Sequence, residues 1–74
     1  MNGITRQYEN LANAIVELAV KDYKRMLERL NVYSKDYEAQ SQKQRIEKFF
    51  RSDWYKALTN IDGEWLMKKI QSEV

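Results

Sequence analysis

The sequence contains no cysteine, no histidine and no proline, and only two of its 74 residues are glycine. Without cysteine or histidine the chain has no zinc site of the usual kind, no thiol nucleophile and no Ser–His couple. The segment Asp62-Gly63-Glu64 lacks the alternating acidic ligands of a calcium loop, and the glycines form no phosphate-cradling loop. We therefore expect a protein that is not an enzyme and that uses no metal or cofactor.

Long apolar runs and a strong charge imbalance are missing as well. No apolar run exceeds three residues, so we expect no membrane span. The 13 Lys and Arg residues against 11 Asp and Glu residues give a net charge of +2, which by itself implies neither nucleic acid nor membrane. The lack of cysteine fits a reducing compartment and no signal-peptide core is apparent, so the expected location is the cytoplasm of the producing cell.

The composition is nevertheless that of a folded protein. Hydrophobic residues make up 43% of the chain, and two Trp, five Tyr and two Phe are among them, which argues against disorder. The length predicts a single helical domain over residues 1–74. A chain this short buries only about 60% of its unfolded surface, so self-association or a partner is expected to add stability.

Apolar residues recur at helical spacing from Ile4 to Leu30 and predict one long N-terminal helix. An eleven-residue repeat keeps the apolar stripe on one face of a nearly straight helix. Val16, Val20 and Leu27 widen the stripe, so this helix is expected to contact more than one neighbour.

A second helix is predicted from about Lys35 to Arg51, with Ser34 as its N-cap. Its first half is strongly polar and is expected to be solvated. Its second half is expected to pack through Ile46, Phe49 and Phe50.

Two short C-terminal helices follow in the prediction. Ser52 suits the N-cap of a third helix that ends near Asn60, and Asp62 suits the N-cap of a fourth. No segment alternates with period two, so the predicted fold is an all-α bundle of about four helices. The expected apolar face of the fourth helix is Leu66, Met67 and Ile70.

The aromatic residues give the candidate protein interface. Some of them fall on apolar stripes and are expected in the core: Tyr8, Tyr23, Phe49, Phe50, Trp54 and Trp65. A small domain cannot enclose all nine, and exposed aromatic residues are favoured at protein interfaces. The candidates for exposure are Tyr33, Tyr37 and Tyr55.

The predicted second helix is also rich in basic residues at helical spacing. Side chains three apart on one helix could follow the phosphates of a nucleic acid. The alternative is that they solvate the outer face of a helix whose inner face is apolar. The basic residues concerned are Lys43, Arg45, Lys48 and Arg51.

The stretch Ile46–Leu66 resembles a family of short, uncharacterised proteins from phages and prophages of low-GC Gram-positive bacteria. The shared features are the paired phenylalanines Phe49 and Phe50, a Ser-x-Trp-Tyr step, Leu-Thr, and Ile-Asp-Gly-Glu before an aromatic residue and leucine. The resemblance implies a small accessory or host-takeover protein. Anti-CRISPR inhibitors, which are commonly small, cofactor-free and stoichiometric, are an analogy for how such a protein acts.

The main functional hypothesis is therefore a non-enzymatic helical protein that binds a larger host or phage protein, a bacterial defence nuclease being one such target. The first alternative is a nucleic-acid-binding accessory protein that uses the basic second helix. The second alternative is a structural homodimer that packs the long first helix against its twin.

Overall fold

The computed structural model describes residues 14–74, which form four helices and, within that range, no strand. The predicted all-α bundle is confirmed. The part of the predicted first helix that precedes residue 14, with Tyr8, lies outside the described residues. The helices are α1 (Ala14–Val32), α2 (Tyr37–Phe50), α3 (Asp53–Leu58) and α4 (Gly63–Glu73).

A tight turn joins α1 to α2 and makes the two helices an antiparallel hairpin. The Asp36 N–H donates to the Tyr33 carbonyl at 3.1 Å and closes the turn. The N-cap of α2 is Asp36, whose carboxylate accepts the Ala39 N–H at 3.0 Å. The prediction of Ser34 as this cap is wrong, because Asp36 directly precedes the first helical residue and Arg29 also holds its carboxylate.

The two short helices start where the sequence predicts. Ser52 caps α3: its Oγ accepts the Tyr55 N–H at 3.1 Å and donates to the Phe49 carbonyl at 2.6 Å. Asp62 caps α4 by accepting the Trp65 N–H at 2.9 Å. Both predicted caps are confirmed, since each satisfies a helix-terminal N–H that would otherwise lack a partner.

A single cluster of buried side chains holds α1, α2, α3 and α4 together. Phe50 lies edge-to-face with Tyr23 at 5.7 Å between ring centroids and with Tyr55 at 5.5 Å, which is the favoured geometry for aromatic pairs. Ile46 and Phe49 pack partly buried against this cluster, so the second half of α2 packs as predicted. The buried members are Val16, Tyr23, Phe50, Tyr55, Leu66, Met67 and Ile70.

The aromatic residues of α3 are placed the opposite way from the prediction. Tyr55 is only 1% exposed, so it belongs to the core and is not an interface residue, whereas Trp54 is 58% exposed. Trp65, also expected in the core, is 49% exposed. Neighbouring helical residues point about 100° apart, and six-residue α3 is too short for its spacing to show which of them faces inward.

Candidate protein-binding site

The turn between α1 and α2 presents the two remaining interface candidates to solvent. Tyr33 is 60% exposed and Tyr37 is 72% exposed. Val32, which ends α1 beside them, is 89% exposed. We name Val32, Tyr33 and Tyr37 the corner. These exposed side chains add little to the core, and exposed aromatic residues are favoured at protein interfaces.

Hydrogen bonds and ion pairs hold the backbone of this turn in place. Arg29 donates to both carboxylate oxygens of Asp36, at 2.9 and 3.0 Å, and to Glu38 at 3.0 Å. The Gln40 side chain donates to the Ser34 carbonyl at 2.9 Å. Each of these bonds crosses the turn, so the corner side chains project from an ordered backbone.

The electrostatics of the turn agree with its geometry. The hydrogen bond from the Ala39 N–H lowers the pKa of Asp36, and the Arg29 guanidinium adds to that effect against a cost of desolvation. Asp36 therefore stays charged at neutral pH. A charged Asp36 both caps α2 and anchors Arg29, which fixes the angle at which α2 leaves α1.

A second exposed apolar surface lies at the other end of α1, and the sequence reasoning missed it. It is a cavity of about 220 Å³ between α1 on one wall and α2 with α3 on the other. Leu18 is 60% exposed and Ile15 is 44% exposed on its α1 wall. Its apolar lining residues, which we name the groove, are Ile15, Leu18, Ala19, Ile46, Phe49 and Trp54.

Opposite charges flank the groove. Asp22 of α1 and Arg45 of α2 complete its lining. The sequence did carry a signal for this surface, namely the apolar stripe of α1, which is wider than one contact with α2 requires. What it did not show is that Trp54 points outward and extends the apolar surface.

The four basic residues of α2 and its end do not form one free surface. Lys43 pairs with Glu47 at 3.1 Å, and Arg51 pairs with Glu64 at 2.6 Å. Arg45 and Lys48 are exposed, and neither makes an ion pair with the described residues. Two of the four candidates are thus already neutralised by carboxylates, which weakens any attraction to phosphates.

A depression of about 530 Å³ lies over the connection between α3 and α4. Its carboxylates have structural partners, since Asp62 caps α4 and Glu64 pairs with Arg51. Within residues 14–74, no three His, Cys, Asp or Glu side chains form a group that could hold a metal ion. The carboxylates of this depression thus serve as a helix cap and as one side of a surface ion pair.

Comparison of the chain with family models, curated proteins and solved structures finds no match in any of the three. None of the described helices combines the length and the apolar character that crossing a bilayer requires.

Proposed function

We propose that this chain is a non-enzymatic helical protein of phage or prophage type that binds a larger host or phage protein through the corner. The observation that carries the proposal is the pair of exposed tyrosines, Tyr33 and Tyr37, on a turn fixed by the Arg29–Asp36 pairing. The resemblance of Ile46–Leu66 to phage proteins supports the phage setting. Inhibition of a bacterial defence nuclease is the narrower form of the proposal.

Tyrosine suits this role for physical reasons. It brings a large contact area with only two side-chain torsions to fix, and a hydroxyl that can hydrogen bond at the edge of a contact. Because the turn is already ordered, binding costs less conformational entropy than it would on a loose loop. The fitting partner is a protein surface with apolar pockets for Val32, Tyr33 and Tyr37, each tyrosine pocket having a polar group near its rim.

The test compares three immobilised chains in nuclease-treated lysate of a low-GC Gram-positive host. These are the unchanged chain, the Tyr33→Ala/Tyr37→Ala variant, and Leu18→Ala as a matched control at the groove. We expect a stoichiometric protein on the unchanged chain and on the control. At least about tenfold less should remain on the double variant, because truncating a buried interface tyrosine costs about 1 kcal/mol or more.

Three results would contradict the proposal. One is the absence of any stoichiometric protein, and another is equal retention by the double variant. The third is a partner that is retained only when nuclease is omitted and is lost in high salt. That last result would favour nucleic-acid binding through Arg45 and Lys48.

The narrower proposal has its own measurement. Expression of the unchanged chain in a host that carries a defence nuclease should raise phage plating efficiency, and the Tyr33→Ala/Tyr37→Ala variant should not. If the capture experiment yields a protein partner but expression of the chain does not change plating efficiency, the binding proposal stands and the inhibitor proposal is contradicted.

A further inference from the structure

We infer that the groove is the contact surface of a symmetric homodimer, in which a second copy of this chain covers it. Leu18, Ile15 and Trp54 are largely exposed in the groove. The other apolar residues of its lining pack against the core cluster. This inference does not rest on the proposed function, because the corner lies at the opposite end of α1.

The two walls of the groove lie at the same height along the axis of the α1–α2 hairpin. In the α1–α2 hairpin, Tyr23 contacts Glu47 and Arg29 contacts Asp36. These contacts place the N-terminal half of α1 beside the C-terminal half of α2, so the walls run side by side along the groove. A two-fold axis running along the groove therefore places the α1 wall of each copy on the α2–α3 wall of the other.

This arrangement brings unlike surfaces together. Leu18 and Ile15 of one copy would cover the groove residues Phe49, Ile46 and Trp54 of the partner subunit, and the reverse contact follows by symmetry. A two-fold interface is isologous, so every contact between two residues occurs twice. Burying apolar surface on both copies at once supplies the driving force.

Charge complementarity selects a second copy over other occupants. Asp22 lies on the α1 wall and Arg45 on the α2 wall. The same two-fold axis places Asp22 opposite the partner subunit's Arg45, and Arg45 opposite the partner subunit's Asp22. Among residues 14–74, Arg45 makes no ion pair, and Asp22 makes one, a 3.8 Å contact with exposed Arg25.

The size of the surface sets the expected affinity. A stable interface of standard size takes about 800 Å² from each partner, which is roughly a sixth of the 5153 Å² accessible surface of this chain. The groove and its flanking charges comprise eight residues on each copy, against roughly 20–30 in an interface of standard size, so we expect a dissociation constant in the micromolar range.

The experiment is sedimentation equilibrium of the full chain from about 1 to about 500 µM. We expect the mass to rise from 8.9 kDa towards twice that value. Asp22→Arg and Arg45→Asp should each weaken association at least about tenfold, by placing like charges opposite each other. The exchanged variant Asp22→Arg/Arg45→Asp should recover it, since only a direct contact between the two positions gives such coupling.

Lys68→Glu is the matched control, because it reverses one charge at an exposed position of α4 that lies outside the groove. Circular dichroism of each variant confirms that the helices are kept. A monomer over the whole concentration range would overturn the inference and assign the groove to a different occupant. A dimer whose dissociation constant is unchanged in both Asp22→Arg and Arg45→Asp would overturn it too.

Discussion

At Gly63 the backbone of α4 passes so close to α2 that no side chain fits between them. Gly63 is buried in the first turn of α4. A Cβ atom there would lie 3.0 Å from the carbonyl carbon of Phe50 and closer still to its oxygen. In the sequence, Gly63 is simply the residue that follows the N-cap Asp62, and nothing local shows a close approach to α2. The structure shows that its lack of a side chain permits the contact between the two helices.

Gly63→Ala is therefore expected to destabilise the protein by about 1–3 kcal/mol, the usual cost of overpacking a well-filled site. In a helix without this contact the same change would stabilise by up to about 1 kcal/mol, so the sign of the effect is diagnostic. Urea unfolding followed by circular dichroism measures it. Lys68→Ala, at an exposed position of the same helix, is the control and should change stability by less than about 0.5 kcal/mol. A Gly63→Ala variant as stable as the parent would show that the backbones can move apart.

At the scale of helices, the structure confirms the predicted N-cap of α3 but shows a different N-cap for α2. Ser52 both accepts a hydrogen bond from α3 and donates one to the end of α2. Ser34 has the same side chain and also lies before a helix, yet Asp36 is the cap there. The two serines therefore allow a matched comparison, because Ser52 is an N-cap and Ser34 is not.

Ser52→Ala should lower the free energy of unfolding by about 1–2 kcal/mol, because it removes an N-cap and leaves the Tyr55 N–H without its acceptor. Ser52→Thr keeps the hydroxyl and should recover most of the loss. Ser34→Ala should change stability by less than about 0.5 kcal/mol. Urea titrations of the three variants at one protein concentration test this. Equal losses at both serines would contradict the assignment of Asp36 as the cap.

The same elements show how far the sequence alone could go. Helix number, the caps at Ser52 and Asp62, and the buried face of α4 follow from local spacing and capping chemistry, so the sequence predicts them. Ser34 and Asp36 are both favoured N-cap residues, so local sequence does not decide between them. The contact of Asp36 with Arg29 of α1 favours Asp36, and local spacing does not show that contact. The exposure of Trp54 likewise depends on how α3 packs against the other helices. Because Trp54 lines the groove, the groove could not be predicted from the sequence either.

At the scale of the whole molecule, one hydrogen-bonded network joins three helices. The Tyr23 hydroxyl donates to Glu47 at 2.8 Å and accepts from the Gln71 side chain at 2.8 Å. Lys43 pairs with the same Glu47 oxygen at 3.1 Å. Burial alone would raise the pKa of Glu47, but the hydrogen bonds from Tyr23 and Lys43 outweigh it and lower that pKa. The network thus keeps Glu47 charged at the junction of α1, α2 and α4.

Burial raises the pKa of Tyr23 from its ordinary value of 10.0 to about 12; Gln71 opposes the shift and Glu47 adds to it. Below about pH 10 the hydroxyl keeps its proton whether the chain is folded or unfolded, so its stabilising effect is complete. Between about pH 10 and 12 the unfolded chain loses the proton first, and the stabilising effect of Tyr23 declines as the pH rises.

Tyr23→Phe removes both hydrogen bonds and should cost about 1–2 kcal/mol at neutral pH. The variant lacks the hydroxyl that titrates, so the stability gap between the two chains should narrow as the pH rises through the pKa window of Tyr23. Urea unfolding of both at about pH 7, 9.5 and 11.5 measures the gap, with Tyr37→Phe as the control for an exposed hydroxyl. A gap that stays constant across these three pH values would mean that the folded protein does not hold the Tyr23 proton more tightly than the unfolded chain does.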